Sequence, residues 1–128
     1  MTSPLSGAAG ETSSTGLQAN VAGALAYLLG PVTGIIFLVM EKDSRFVRFH
    51  AAQSTVLGVA MVVVSIVLSI LSAILAVVPI LGWLAAVMVN FVFGLVTFVL
   101  WIVLMWKAFS GEEWEFPIAG KYARSMVK

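Results

Sequence analysis

The sequence contains no cysteine. That excludes disulfides, thiolate metal sites and thiol nucleophiles, and it leaves the redox compartment open. Charge is nearly as scarce. Seven Lys and Arg and six Asp and Glu make 10% of 128 residues, where soluble domains carry about 25%. The formal net charge of +1 provides no global attraction to nucleic acid, so no nucleic-acid partner is expected. His50 and Asp43 are single representatives of their types. On one helix they would lie about 10 Å apart, too far for a Ser-His-Asp relay. There is no HExxH, no phosphate-cradling glycine loop and no carboxylate within the apolar runs. An enzyme is therefore not expected, nor is a metal or cofactor. The first residues lack the basic n-region of a secretory leader, so none is expected.

What is present is apolar. Hydrophobic residues make up 61% of the chain. No charge occurs from Thr12 to Met40, and from Phe49 to Trp106 the only ionisable group is His50. A bilayer core of about 30 Å needs about 20 helical residues. The pattern predicts an all-α membrane protein with three transmembrane helices, at 17–40, 51–78 and 83–108. A disordered tail at 1–16 precedes them, and a short amphipathic helix follows at 117–127, with Ile118, Tyr122 and Met126 on one face.

Each span carries small or weakly polar residues at helical spacing, the pattern that lets helix backbones approach closely. The first has Ala22, Ala26, Gly30 and Gly34; the second has Ser54 and Gly58, then Ser65, Ser69 and Ala73; the third has Ala86, Asn90 and Gly94. Gly30, Gly34, Ser65, Ser69, Asn90 and Gly94 are the candidates for helix packing or pore lining. Asn90 is expected to face protein or water, through an interhelical hydrogen bond or a pore. Pro31 predicts a kink, with a broken or re-entrant helix as the alternative.

Between the first two spans lies the stretch 41–54. It holds five of the thirteen charged residues and the histidine. Asp43 or Ser44 can cap the following helix. Phe46, His50, Gln53 and Leu57 share a face there. Arg45, Arg48, His50 and Gln53 are candidate lipid- or partner-binding residues. Arg45 and Arg48 can pair with Glu112, Glu113 or Glu115, or meet anionic lipid headgroups. His50 is read as an interfacial anchor, with a pH switch as the other reading.

Trp83 and Trp106 stand 23 residues apart, roughly 35 Å of helix, which suits two interfacial belts. Lys and Arg concentrate in the first loop and in the C-terminal segment, and none lies in the N-terminal tail or the turn at 79–82. The positive-inside bias then places the first loop and the C-terminus in the cytoplasm of a plasma-membrane protein. Three spans would put the N-terminus outside. A re-entrant first segment would put it inside with the same charges.

The run AYLLGPVTGIIFLVMEKDSRFVRFHAAQS, Ala26 to Ser54, resembles the signature of a widespread family of small uncharacterised prokaryotic membrane proteins. The matching positions include Tyr27, Gly34, Glu41, Arg45, Phe46, Arg48, Phe49, His50, Ala51, Gln53 and Ser54. The stretch Lys107 to Ala123, with Gly111, Glu112 and Pro117, is also similar to that family. That family in turn resembles, more distantly, the Tic-twenty subunit of the chloroplast inner-envelope import translocon. That subunit is described with four membrane helices, whereas 49–106 has room for two. The resemblance implies a helical membrane protein acting in protein translocation or membrane assembly. The expected role is a structural or accessory subunit, packed as a homo-oligomer or against a larger membrane protein. The alternative is a pore, either translocon-like or holin-like.

Overall fold

A computed structural model describes residues 12–127. Five helices follow in order: α1 Ala19–Leu25, α2 Pro31–Met40, α3 Arg45–Leu75, α4 Leu81–Phe109 and α5 Ala119–Met126. Residues 1–11 of the expected tail lie outside the described residues. Residues 12–18 form a turn closed by a Thr12–Gln18 bridge and a 2.8 Å bond from the Ser13 N–H to the Leu17 carbonyl.

Helices α3 and α4 form a long antiparallel hairpin. Ser44 caps α3, its hydroxyl accepting from the Val47 N–H at 3.3 Å. With 31 and 29 residues, each helix is about 45 Å long. These are the two helices among the described residues that are long and apolar enough to cross a membrane.

The first expected span, 17–40, is not one helix. It breaks after Leu25 and restarts at Pro31. Gly30 takes φ +63, ψ −128, a conformation that essentially only glycine adopts without strain, and Pro31 starts a helix readily but interrupts one. The ten residues of α2 cover about 15 Å, half of a hydrocarbon core.

The break is stabilised by its neighbours. Trp101 Nε1 donates to the Tyr27 carbonyl and Ser54 Oγ to the Gly30 carbonyl, both at 2.8 Å. Thr33 Oγ1 donates to the Ala26 carbonyl at 3.0 Å and accepts from the Leu29 N–H at 3.1 Å. The freed backbone groups thus find partners inside the protein, as non-helical backbone in lipid must.

Contacts at both ends trace the path of this segment. Near the start of α1, Asn20 Nδ2 donates to the Phe109 carbonyl at 2.9 Å. The chain then descends to the level of Trp101 and Ser54. Helix α2 returns to the start of α3, where Arg48 donates to the Glu41 carbonyl at 2.9 Å. The first segment is therefore a pair of helices that turns back on itself and covers one end of the hairpin. The turn at 12–18, the 41–44 elbow and the C-terminal segment all gather at that end.

Glycine permits the close packing there. A Cβ on Gly58 would stand 2.5 Å from the Pro31 ring, and one on Gly34 would stand 3.0 Å from Ser54. Phe46, Val47, Phe49, Ala51 and Ala52 are buried on α3, and Ala123 of α5 packs against Phe49 and Ala52. The outer residues of α5, Tyr122 and Met126, remain exposed, as does Ile118 just before it. Away from this cap the sides of the hairpin are mostly uncovered.

Candidate functional site

The first turns of α3 set the geometry. Phe46, His50, Gln53 and Leu57 fall on one face by helical period, and all four are buried. The His50 ring packs edge-on against Tyr27, Phe46 and Phe49 at 5.4, 4.6 and 5.1 Å between centroids. One histidine nitrogen, Nε2, lies 2.8 Å from the Glu112 carbonyl, and the other, Nδ1, lies 2.7 Å from the Tyr27 hydroxyl. A carbonyl only accepts, so Nε2 carries the proton and Nδ1 accepts from Tyr27. The tautomer is assigned from this network.

Gln53 completes the chain. Its Nε2 donates to the Tyr27 hydroxyl at 2.8 Å and to the Trp114 carbonyl at 3.0 Å, while Oε1 accepts from the Phe116 N–H at 2.8 Å. Three distant segments are thereby joined by a buried network in which His50 and Gln53 are fully bonded.

A second cluster holds the elbow. Glu41 is fully buried. Its Oε2 accepts from the Ser14 N–H and hydroxyl, both at 2.8 Å, from the Ser44 N–H at 2.9 Å and from the Asp43 N–H at 3.1 Å. Burial pushes the carboxyl pKa up, but the donors from Ser14, Ser44 and Asp43 outweigh it and hold the pKa below the ordinary carboxylate value.

Arg48 is half-buried and hydrogen-bonds within the protein. It donates to the Leu38 and Glu41 carbonyls at 3.2 and 2.9 Å, satisfying the C-terminal end of α2. Arg45 is exposed. The expected pairing of Arg45 and Arg48 with the C-terminal carboxylates does not occur. Lys107 pairs with Glu112 at 2.9 Å, and Arg124 pairs with Glu113 and Glu115. The Arg124 guanidinium also lies over the Phe49 ring, 4.3 Å from its centroid.

The remaining candidates separate into two groups. Gly30 and Gly34 shape the break and its contact with α3. Ser65, Ser69, Asn90 and Gly94 lie on the distal hairpin. Ser69 Oγ donates to the Ser65 carbonyl at 2.9 Å. Asn90 Nδ2 donates to Ser72 Oγ and to the Ala86 carbonyl, both at 2.8 Å, forming a clasp between α4 and α3. A Cβ on Gly94 would meet open space. A groove of about 430 Å³ lies below the break, with Pro31, Gly58, Ser65, Ser69, Thr97 and Trp101 among its walls. No group of three or more His, Cys, Asp or Glu that could hold a metal ion occurs among the described residues.

Tyr27, Glu41, Trp101 and Arg124 hold the cap together but are not in the candidate set. Tyr27 and Glu41 were visible as positions of the family resemblance. Trp101 and Arg124 had no signal, because their partners are remote in sequence.

Residues 12–123 match the magnetosome magnetite crystal formation protein family. The chain belongs to that family. A UPF0132 membrane protein of Archaeoglobus fulgidus is 44% identical over 111 residues, covering 87% of this chain and 97% of the relative. Two UPF0132 membrane proteins of Methanocaldococcus jannaschii are 45% and 37% identical, covering 86% and 88% of this chain and 89% and 76% of the relatives. No solved structure matches the chain. The membrane-protein names of these family members agree with the apolar hairpin. The more distant resemblance to the Tic-twenty subunit gains no support from these matches.

Proposed function

We propose that the chain is a non-enzymatic structural or accessory subunit of a membrane assembly, acting in membrane organisation or protein translocation. The observation that carries this reading is how polar groups are used. Tyr27, His50, Gln53, Arg48 and most of the Glu41 carboxylate spend their hydrogen bonds inside the cap. The cap is thus a rigid mount for a hairpin whose sides are open to packing. On α4, Gly94 leaves a face open to another helix, since a Cβ there would meet nothing.

The family description speaks of magnetite crystal formation. Among the described residues no group of three or more His, Cys, Asp or Glu is placed to hold a metal ion. The translocation part of the proposal rests on the resemblance of Ala26 to Ser54 alone. A pore is less well supported, because the Asn90 amide donors and the Ser69 hydroxyl are satisfied within the hairpin. Positive-inside bias puts the cap in the cytoplasm, and with two crossings the N-terminal turn accompanies it. Among the described residues Lys42, Arg45 and Lys121 make no ion pair and are exposed, so these, rather than Arg48, are the cations offered to anionic headgroups.

Cross-linking in native membranes, followed by mass spectrometry, tests the proposal. One discrete adduct with another membrane protein, at constant stoichiometry through purification, is the expected result. A self-ladder together with ion conductance in planar bilayers would replace it with the pore reading.

A further inference from the structure

The turn joining α3 to α4 is built unlike the other end of the molecule. Between Ser72 and Asn90 the only side chain with a polar atom is Trp83. Val77, Ile80 and Leu81 are 80%, 65% and 73% exposed. A loop meeting water normally carries polar side chains and leaves backbone groups to the solvent. Here most of the backbone donors close on the chain itself, the Ile80 N–H making no such bond. The N–H groups of Ala76, Val77, Val78, Leu81, Gly82 and Leu84 all find acceptors within the turn region, at 2.8 to 3.2 Å, and Pro79 has no N–H to satisfy. The indole of Trp83 donates to the Ala76 carbonyl at 3.1 Å. Gly82 makes this closure possible, since a Cβ there would stand 1.7 Å from the Leu75 carbonyl oxygen.

Length allows the same placement. From Lys107, the charged residue of α4, to Leu81 is 26 residues, about 39 Å of helix. The hydrocarbon core is about 30 Å thick and the whole bilayer about 40–45 Å. An upright hairpin ends in the far headgroup layer, and a tilted one ends in the far acyl chains. No charge at this end holds it out.

We infer that the turn at 76–82 is seated in the lipid of the far leaflet and is not presented to the aqueous compartment beyond it. The protein then meets water at one face only, the cap. Any soluble partner engages the cap, and any partner at the distal end is itself within the membrane. The inference rests on the proposed membrane role but is independent of which partner is found there.

The absence of native cysteine provides a clean test. Nitroxide labels are attached in detergent to Val78→Cys, Leu81→Cys and, as the water-facing reference, Asp43→Cys, whose side chain is exposed at the cap, and the full chain is reconstituted into phosphatidylethanolamine–phosphatidylglycerol vesicles loaded on both sides with a water-soluble nickel chelate. Both tip labels are expected to be relaxed by oxygen and about tenfold less by nickel than the Asp43→Cys label, because polar solutes are excluded from hydrocarbon. Nickel accessibility equal to the reference at either tip position overturns the inference. Low accessibility to both agents marks a protein contact in place of lipid and overturns it as well. Neither result alters the cross-linking outcome, so this failure is distinct from failure of the accessory reading.

Discussion

Gln53 connects three segments through one amide. Its removal leaves the Phe116 N–H and the Trp114 carbonyl without their partner. An unsatisfied buried polar group costs about 1–3 kcal/mol. Gln53→Ala is therefore expected to destabilise the protein by about 2–4 kcal/mol and to make 111–127 sensitive to protease. Thermal unfolding in detergent checks this, and a change below about 0.5 kcal/mol would contradict the bridging role of Gln53. Glu41 makes a second prediction at this scale. Its folded pKa lies below the ordinary value of 4.5. The stabilisation is thus present above that value and disappears as pH falls through the folded pKa. Melting temperatures from pH 7 downward are expected to show wild type above Glu41→Gln at neutral pH. The two should converge under acid conditions, as the pH falls through that lowered folded pKa. A gap independent of pH would mean that the carboxylate is not the stabilising form.

At the scale of elements, two glycines at similar helical positions have opposite roles. Gly58 lies under the Pro31 ring, while Gly94 faces open space. Gly58→Leu is expected to lift α2 from α3 and cost about 1–3 kcal/mol or more through overpacking. Gly94→Leu should leave the isolated chain within about 0.5 kcal/mol of wild type. Denaturation of both variants in the same detergent compares them directly. Equal losses would place Gly94 in a packed contact and contradict the open face of α4. Helix α5 is short, and its position comes from docking, with Ala123 against Phe49 and Arg124 holding Glu113 and Glu115. An isolated peptide of its eight residues is too short to be helical in water.

At the scale of the molecule, the pair of helices α1 and α2 decides which parts share a compartment. Ser14 bonds Glu41, and Asn20 bonds the end of α4. N- and C-terminal reporter fusions are therefore expected on the same side of the membrane. Reporters on opposite sides would restore a crossing by 17–40. The cap also separates the cations by role. Removing Lys42, Arg45 and Lys121 together is expected to weaken binding to anionic vesicles by about 1 kcal/mol per charge. Arg48→Gln should act on stability instead, since its partners are the Leu38 and Glu41 carbonyls. Vesicle flotation across a series of phosphatidylglycerol contents distinguishes the two effects.

The long uncharged run from Phe49 to Trp106 could only be a membrane hairpin, because no face of it offers charge to water. Capping by Ser44, the buried face of Phe46, His50, Gln53 and Leu57, and the short C-terminal helix were also legible from local pattern. Whether 17–40 crosses was not. Its hydropathy is the same whether it continues past Pro31 or turns back, and the charge distribution fits both. The choice rests on Ser54 and Trp101, which satisfy the freed Gly30 and Tyr27 carbonyls from 24 and 74 residues away. The pairing of charges had the same dependence. Local sequence offered Arg45 and Arg48 to the glutamates, but the return of α2 placed its terminal carbonyls beside Arg48 and left the glutamates to Lys107 and Arg124. Composition alone determined that this chain resides in a membrane. Only tertiary structure decided where it turns back, because a broken helix in lipid is stable only where distant side chains supply the hydrogen bonds that water would otherwise provide.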